Sequence, residues 1–371
     1  MGRTIRAAVL DRPGTPIRTE ELELVGPGPG QVLVRIAASG VCHSDLHQAD
    51  GDWGDPGPMV LGHEGAGFVE EVGAGVEGIR EGDLVALNWY APCGTCVSCR
   101  AGRPWTCTGT LALEDRLPDG SRPLRRADGS EVAPMLGLGT FAGAAVVGAE
   151  AAVPMPEGTT PEVAALIGCG VTTGVMSVLR AAEVPAGASV VVIGIGGVGL
   201  SVVMGAAIAG ASPIVAVDRV PEKLEHAERL GATHGVLAGD DALDAIRRAV
   251  GGDPDFAFEA IGLSATVELA IDVVGRGGMA LVVGIPPHGH RASFDVGLLV
   301  DRSARIVGCN YGWSTPSEDF PRLARLALEG RLPVDRLIEE RIGLDDVAGA
   351  LEALRTGRGL RRVIVLGDRP G

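Results

Sequence analysis

The chain has 371 residues, room for two domains with separate cores, and 46% of them are hydrophobic while only 3% are aromatic. Packing must therefore rest on Val, Leu, Ile and Ala. Against 47 Asp and Glu stand 32 Lys and Arg, a net charge of −15, which excludes the basic face that nucleic acid or an anionic membrane demands.

The N-terminal segment, Met1 to Leu10, lacks the apolar core and small-residue cleavage site of a signal peptide. No uninterrupted apolar run reaches membrane-spanning length; Val190 to Leu200 is too short and rich in glycine. The expectation is a soluble, cytoplasmic protein. Ile5–Leu10 and Gln31–Ile36 read as strands, with the turn cluster Gly26-Pro-Gly-Pro-Gly30 between them. Gly62–Val72 and Asp83–Leu87 continue the β-rich pattern, and polar Leu111–Pro134 reads as a long surface excursion.

From about Thr160 the rhythm changes. Val163–Leu179 reads as a helix, Ser189–Ile193 as a buried strand, Gly199–Ala209 as a helix, Pro213–Val217 as a strand and Glu222–Leu230 as a helix. Phe256–Glu259, Ala265–Val274 and Met279–Val283 follow as β, α and β, so strands alternate with helices as in a doubly wound parallel sheet. The tail holds Asp319–Glu329, Leu344–Leu354 and the strand Arg362–Leu366, and is expected to return to the first domain.

Seven cysteines fit a disulfide framework poorly, and their spacing points to metal. Cys93, Cys96, Cys99 and Cys107 form C-x2-C-x2-C-x7-C in a loop with Pro92, Gly94, Gly102 and Pro104. Four thiolates so close together can close around one tetrahedral zinc and leave no open position, which makes the site structural. Free or redox cysteines are the plainer reading; an iron–sulfur cluster would need an electron-transfer context that is missing here. A second set, Gly40-Val-Cys-His-Ser-Asp-Leu-His47, Gly62-His-Glu-Gly-Ala-Gly67 and Gly168-Cys-Gly-Val-Thr-Thr-Gly174, offers Cys42, His63 and a distant Cys for a site with an open fourth position. Spacing alone leaves Cys169 and Cys309 as alternatives.

Val190-Val-Val-Ile-Gly-Ile-Gly-Gly-Val-Gly199 runs from a strand through Gly194-x-Gly196-x-x-Gly199 into a helix. Glycines there admit a pyrophosphate to the helix N-terminus, where free N–H groups favour anions. Asp218, at the end of the next strand, suits the adenosine ribose hydroxyls and repels a 2′-phosphate, so NAD is expected over NADP.

Together these motifs resemble the zinc-containing alcohol dehydrogenases of the medium-chain dehydrogenase/reductase superfamily, over essentially the whole chain. The resemblance implies a GroES-like, β-rich catalytic domain over 1–165 and 306–371, with a Rossmann domain over 166–305. It implies Cys42, His63 and Cys169 as catalytic zinc ligands, Cys93, Cys96, Cys99 and Cys107 as ligands of a structural zinc, Glu64 as an acidic residue behind the catalytic metal, and Asp45 as the carboxylate that orients His63. Ser44 and His47 match a proton relay. His43, Arg361, Gly194, Gly196, Gly197, Val198 and Gly199 fall where the family binds the pyrophosphate. Lys223 falls beside the adenosine ribose, while Thr173 and the Ile285 backbone fall beside the nicotinamide. Trp53 and Trp89 match the substrate channel. The implied activity is NAD-linked oxidation of an alcohol, or reduction of an aldehyde or ketone, by a homodimer, with a tetramer as the other arrangement. Asn88-Trp-Tyr and Gly137-Leu-Gly-Thr-Phe141 also resemble mycothiol-dependent formaldehyde dehydrogenases, which makes oxidation of S-hydroxymethyl thiol adducts the alternative. A zinc-free reductase would lack both cysteine sets, and a non-enzymatic zinc module would not carry the glycine turn.

Overall fold

The computed structural model describes residues 2–357 and 359–367. They form two compact units: 2–169, 315–330, 334–357 and 359–367 make the first, and 170–314 with 331–333 make the second.

The first unit carries β1 (Arg3–Leu10), β2 (Arg18–Leu24), β3 (Gln31–Gly40), helix α1 (His43–Asp50), β4 (Met59–Val60), β5 (Glu64–Val72), β6 (Leu84–Leu87), β7 (Leu124–Arg125), β8 (Glu131–Pro134), β9 (Ala144–Gly148) and β10 (Ala152–Pro154). β1, β2, β7, β8 and β4 close into a barrel in that order. The segment 111–134 is thus more than the expected surface excursion. It supplies two barrel strands, because Leu117, Leu124 and Val132 are buried among Ile5, Leu22 and Leu33, and their apolar faces outweigh the polar residues between them.

Helix α2 (Pro161–Ala181) carries the unit boundary, after Cys169. Its N-terminus is set by Thr160, whose hydroxyl accepts from Val163 N, and by Pro161 in the first turn. The sequence offers no uninterrupted apolar run of membrane length, yet this helix has that length and apolar character; 78% of its most apolar window is buried, so it serves as a core helix. The helix widens to π geometry at Ile167–Val171, around Cys169.

The second unit continues with β11 (Val190–Ile193), α3 (Gly197–Ala209), β12 (Ile214–Asp218), α4 (Pro221–Arg229), β13 (His234–Leu237), α5 (Ala242–Val250), β14 (Phe256–Glu259), α6 (Ser264–Val273), β15 (Met279–Val282), α7 (Val296–Arg302) and β16 (Arg305–Gly308). The sheet order is β13-β12-β11-β14-β15-β16, and every pairing is parallel. This is the doubly wound sheet expected from the alternation of strands and helices. β11 is buried at all four positions, and each Val or Ile withdrawn from water there contributes roughly 1.5–3 kcal/mol. The expected boundary at 305/306 falls inside β16, which pairs with β15 and so stays with this sheet. The short elements β13, α5, α7 and β16 escape the sequence reading because few of their residues are buried.

The chain then returns to the first unit with α8 (Pro316–Leu328), β17 (Ile338–Ile342), α9 (Val347–Arg355) and β18 (Arg361–Val365). β18 pairs antiparallel with β3, completing the sheet β10-β6-β5-β3-β18-β17, to which β9 adds on β3. α9 packs on α1, with Leu46, Ala49, Val347 and Leu351 in one buried cluster.

Candidate functional site

α1 begins directly after Cys42, and one carboxylate builds both the helix start and the site. Asp45 Oδ2 accepts from Cys42 N at 2.8 Å, while its Oδ1 accepts from Gly62 N at 3.2 Å and lies 3.0 Å from His63 Nδ1. Asp45 is fully buried and His63 is 1% exposed. Nδ1 therefore carries the proton, and Nε2 is the free lone pair. That Nε2 is buried with no hydrogen-bond partner among the described residues.

The donor atoms of Cys42, His63, Glu64 and Cys169 lie within 4.8 Å of one another. The structure thus brings Cys169 to Cys42 and His63. Cys309 lies in the second unit, where burial pushes its thiol up to about 12. The Cys42 thiol falls well below its ordinary range because Cys169 hydrogen-bonds to it, with His63 adding to the effect. Burial opposes a proton on His63, yet the charge and hydrogen bond of Asp45, with Cys42, raise its pKa to about 10. Two thiols and an imidazole nitrogen without a partner among the described residues, gathered in one buried place, make a donor set for a cation. The sulfur and imidazole donors suit zinc, with Glu64 as a fourth group within reach. Glu64 is fully buried; its Oε2 pairs with Arg361, and its Oε1 has no partner among the described residues. Arg361, expected on the pyrophosphate, is here the 7% exposed partner of Glu64.

Ser44 and His47 follow on the same helix. Ser44 Oγ lies 3.9 Å from Cys42 Sγ. His47 Nδ1 lies 2.5 Å from Asp52 Oδ2, and its ring packs on Trp53 at a centroid distance of 5.1 Å. The sequence reading misses Asp52, because it became a candidate only once α1 and its stop at Gly51 were in place. His43 is exposed. Trp89 packs on the core around Val32 and Leu87, with Tyr90 edge-on at 5.5 Å.

The four-cysteine loop makes a second group, also with donor atoms within 4.8 Å of one another. Backbone amides are aimed at its sulfurs: Cys93 N at 3.3 Å from Cys107 Sγ, Cys99 N at 3.5 Å from Cys96 Sγ, and Gly109 N at 3.4 Å from Cys107 Sγ. Tyr90 anchors the loop by donating to Cys107 O at 3.0 Å. The amide of Cys99 holds Cys96 down to about 5, whereas burial and the neighbouring sulfurs push Cys99 up to about 12. Four thiolates cannot share this space without a cation, and a tetrahedral zinc fits the donor set.

In the second unit, Gly194 (φ 95°) ends β11, and a Cβ on Gly199 would stand 1.8 Å from Gly194 O. Only glycine permits that approach of helix to strand. A Cβ at Gly196 would meet open space, so the N-terminus of α3, with Gly196, Gly197 and Val198 partly exposed, is free to cradle an anion. Asp218 accepts from Ile195 N at 2.8 Å and Val220 N at 3.0 Å, which fixes its carboxylate beside this turn. The turn fits a dinucleotide. Lys223 is partly exposed on α4, Thr173 is buried in α2, and Ile285 is 49% exposed just after β15. Glu259, at the end of β14, braces the adjoining loop by accepting from Ile261 N, Gly262 N and Thr266 Oγ1.

Residues 28–157 match the family described as "Alcohol dehydrogenase GroES-like domain", and residues 197–329 match "Zinc-binding dehydrogenase". The chain is 38% identical over 365 residues to an "NDMA-dependent alcohol dehydrogenase" of Amycolatopsis methanolica, an alignment spanning 97% of this chain and 98% of the relative. Over 376 residues it is 32% identical to an "S-(hydroxymethyl)glutathione dehydrogenase" of Paracoccus denitrificans, spanning 97% and 99%. Among solved structures, benzyl alcohol dehydrogenase from Acinetobacter calcoaceticus superposes with a TM-score of 0.91 at 33% identity, spanning 98% of this chain and 100% of that one.

Proposed function

The chain belongs to the zinc-binding alcohol dehydrogenases of the medium-chain dehydrogenase/reductase superfamily, with a GroES-like unit and a Rossmann-type unit, and from that premise we propose that it transfers hydride between an alcohol and NAD. One observation carries the reading: His63 Nε2 is buried with no hydrogen-bond partner among the described residues, beside the thiols of Cys42 and Cys169, and Ser44 lies in the first turn of the helix that starts at Cys42.

Cys42, His63 and Cys169 would hold the catalytic zinc. When bound, it supplies a Lewis acid for the alcohol oxygen, and NAD supplies the hydride acceptor. Asp45 keeps His63 in the tautomer that leaves Nε2 free. Ser44, next to the Cys42 sulfur, accepts the proton of the alcohol, and His47 takes it onward toward solvent. Glu64 stands behind the metal ligands, held by Arg361. Gly194 to Gly199 would hold the pyrophosphate, and Asp218 would accept from the adenosine ribose hydroxyls. Trp53 and Trp89 favour an apolar or aromatic alcohol.

The functional unit is a homodimer. β16 is an edge strand with no outer neighbour among the described residues, and Phe294, Val296, Leu298, Val300 and Ile306 are exposed on and beside it. Sedimentation velocity on the wild type and on Ile306→Lys tests this: dimer and monomer are expected, and two monomers would overturn it.

Oxidation of a thiol adduct is the second reading, favoured by the 32% identity to an S-(hydroxymethyl)glutathione dehydrogenase. One experiment separates the two. Initial rates are measured with NAD and NADP over primary, secondary and aromatic alcohols, with and without a zinc chelator, NDMA, or formaldehyde plus a low-molecular-weight thiol. Chelator-sensitive NAD reduction on simple alcohols is the expected result. Turnover confined to the thiol adduct selects the second reading, and no turnover with two zincs bound sinks both.

A further inference from the structure

The C-terminal end of α1 builds an acid–base pair. Gly51, at φ 83°, stops the helix in the left-handed conformation, and the Asp52 N–H donates to His47 O at 3.0 Å. A Cβ on Gly51 would stand 2.8 Å from Pro13 Cβ, so the turn has no room for a side chain. This reversal returns the Asp52 carboxylate to His47, where Oδ2 lies 2.5 Å from Nδ1. Trp53 then packs on the ring at 5.1 Å with an interplanar angle of 35°. The imidazole is held on one edge and one face while its side chain keeps 21% exposure, so it is fixed without being sealed from solvent.

An ionised carboxylate only accepts hydrogen bonds. Nδ1 therefore carries the ring proton, and in the neutral ring Nε2 is the basic nitrogen, on the opposite edge. We propose that Asp52 is a positioning residue for proton transfer through His47: it selects the Nδ1–H tautomer, fixes the ring, and neutralises the charge the ring gains when Nε2 takes a proton. One proton moves. The O–H bond on the Ser44 side breaks as Nε2–H forms, Nδ1–H stays intact, Asp52 stays ionised, and water accepts the proton from Nε2 afterwards. The plainer account of the same contact is a helix-end pair, in which an imidazolium near the C-terminus of α1 benefits from the helix dipole and Asp52 adds stability alone. The two accounts differ in what removing Asp52 does when His47 is already gone.

The activity arm of the test rests on the proposed alcohol oxidation; the spectroscopic arm does not. In the full-length protein with 15N-labelled histidine and no substrate, His47 should show the Nδ1–H tautomer. Asp52→Ala should lose that preference, and Asp52→Glu should restore it. In the assay, Asp52→Ala should lower kcat by about 10- to 100-fold, the size of loss seen when a metal-bound histidine loses the partner that orients it, with the KM for NAD within about 2-fold. His47→Gln should cost a similar factor, and adding Asp52→Ala to it should cost less than about 2-fold more, because the two act as one unit. Asp52→Asn, of the same size, serves the kinetic cycle where Ala does not fold. A His47 ring in the Nε2–H tautomer, or losses that multiply in the double variant, would overturn the proposal. A wild type that oxidises no alcohol would sink the proposed activity, and the tautomer measurement would still decide the pair.

Discussion

The two cysteine clusters of the first unit are assembled in opposite ways. Cys93, Cys96, Cys99 and Cys107 come from one loop, partly exposed except for Cys107, and their sulfurs are met by backbone amides of the same loop. Cys42, His63 and Cys169 come from the start of α1, the entry to β5 and the π turn of α2, and all are buried. The loop cluster has four thiol donors and is complete in itself. The buried cluster has three, plus a carboxylate already engaged by Arg361, and it has a hydroxyl beside it. A local cluster can fold around its ion and do nothing else. A cluster assembled from distant segments leaves one side for chemistry, at the cost of depending on the packing of the whole unit.

The sharpest way to break this comparison is Cys169→Ala. Zinc should fall from two per chain to one and kcat/KM by more than about 1,000-fold, since a metal acting as a Lewis acid supplies several kcal/mol of transition-state stabilisation. Metal analysis with circular dichroism checks it; a folded variant that keeps both zincs and its activity would show that Cys169 is no ligand. Smaller is the effect of Asp45→Asn. It keeps the size of the side chain but offers His63 and the Cys42 amide a carboxamide, and zinc affinity of the buried site alone should weaken by about 10- to 100-fold. Competition with a chromophoric chelator reads that directly, and equal weakening at both sites would argue against a separate role for Asp45. The smallest effect on catalysis belongs to Cys96→Ala. It should remove the loop zinc and lower Tm by roughly 5–10 °C, about 3 kcal/mol, while kcat/KM stays within about 3-fold. A calorimetric melt beside the kinetics tests this, and a large fall in kcat/KM at unchanged Tm would erase the division of labour between the clusters.

The second unit was the most legible part of the chain. Its strands are short continuous runs of buried β-branched residues, as at Val190–Ile193, and its helices fall between them at regular intervals. Phe256–Glu259 stands where the pattern puts it. The first unit was less legible, because a barrel of short strands with irregular connections leaves weak periodicity. α1 is the clearest omission: eight polar and apolar residues with no strong stripe, formed because Asp45 caps it, Gly51 stops it, and α9 covers Leu46 and Ala49. β2, with alternating Glu and Leu, was missed where the barrel needed it.

By itself the sequence determined whatever depends on neighbours along the chain. Four thiols at fixed short intervals, and a glycine triplet between a buried run and a helix, are constrained by covalent geometry, so their chemistry can be read in one dimension. The tertiary structure decided what depends on distance through space. It placed Cys169, and not Cys309, with Cys42 and His63. It set Arg361 against Glu64, and folded Asp52 back onto His47. Such partners are chosen by packing and by the need to satisfy buried charge, and neither leaves a mark in the spacing of the residues that meet.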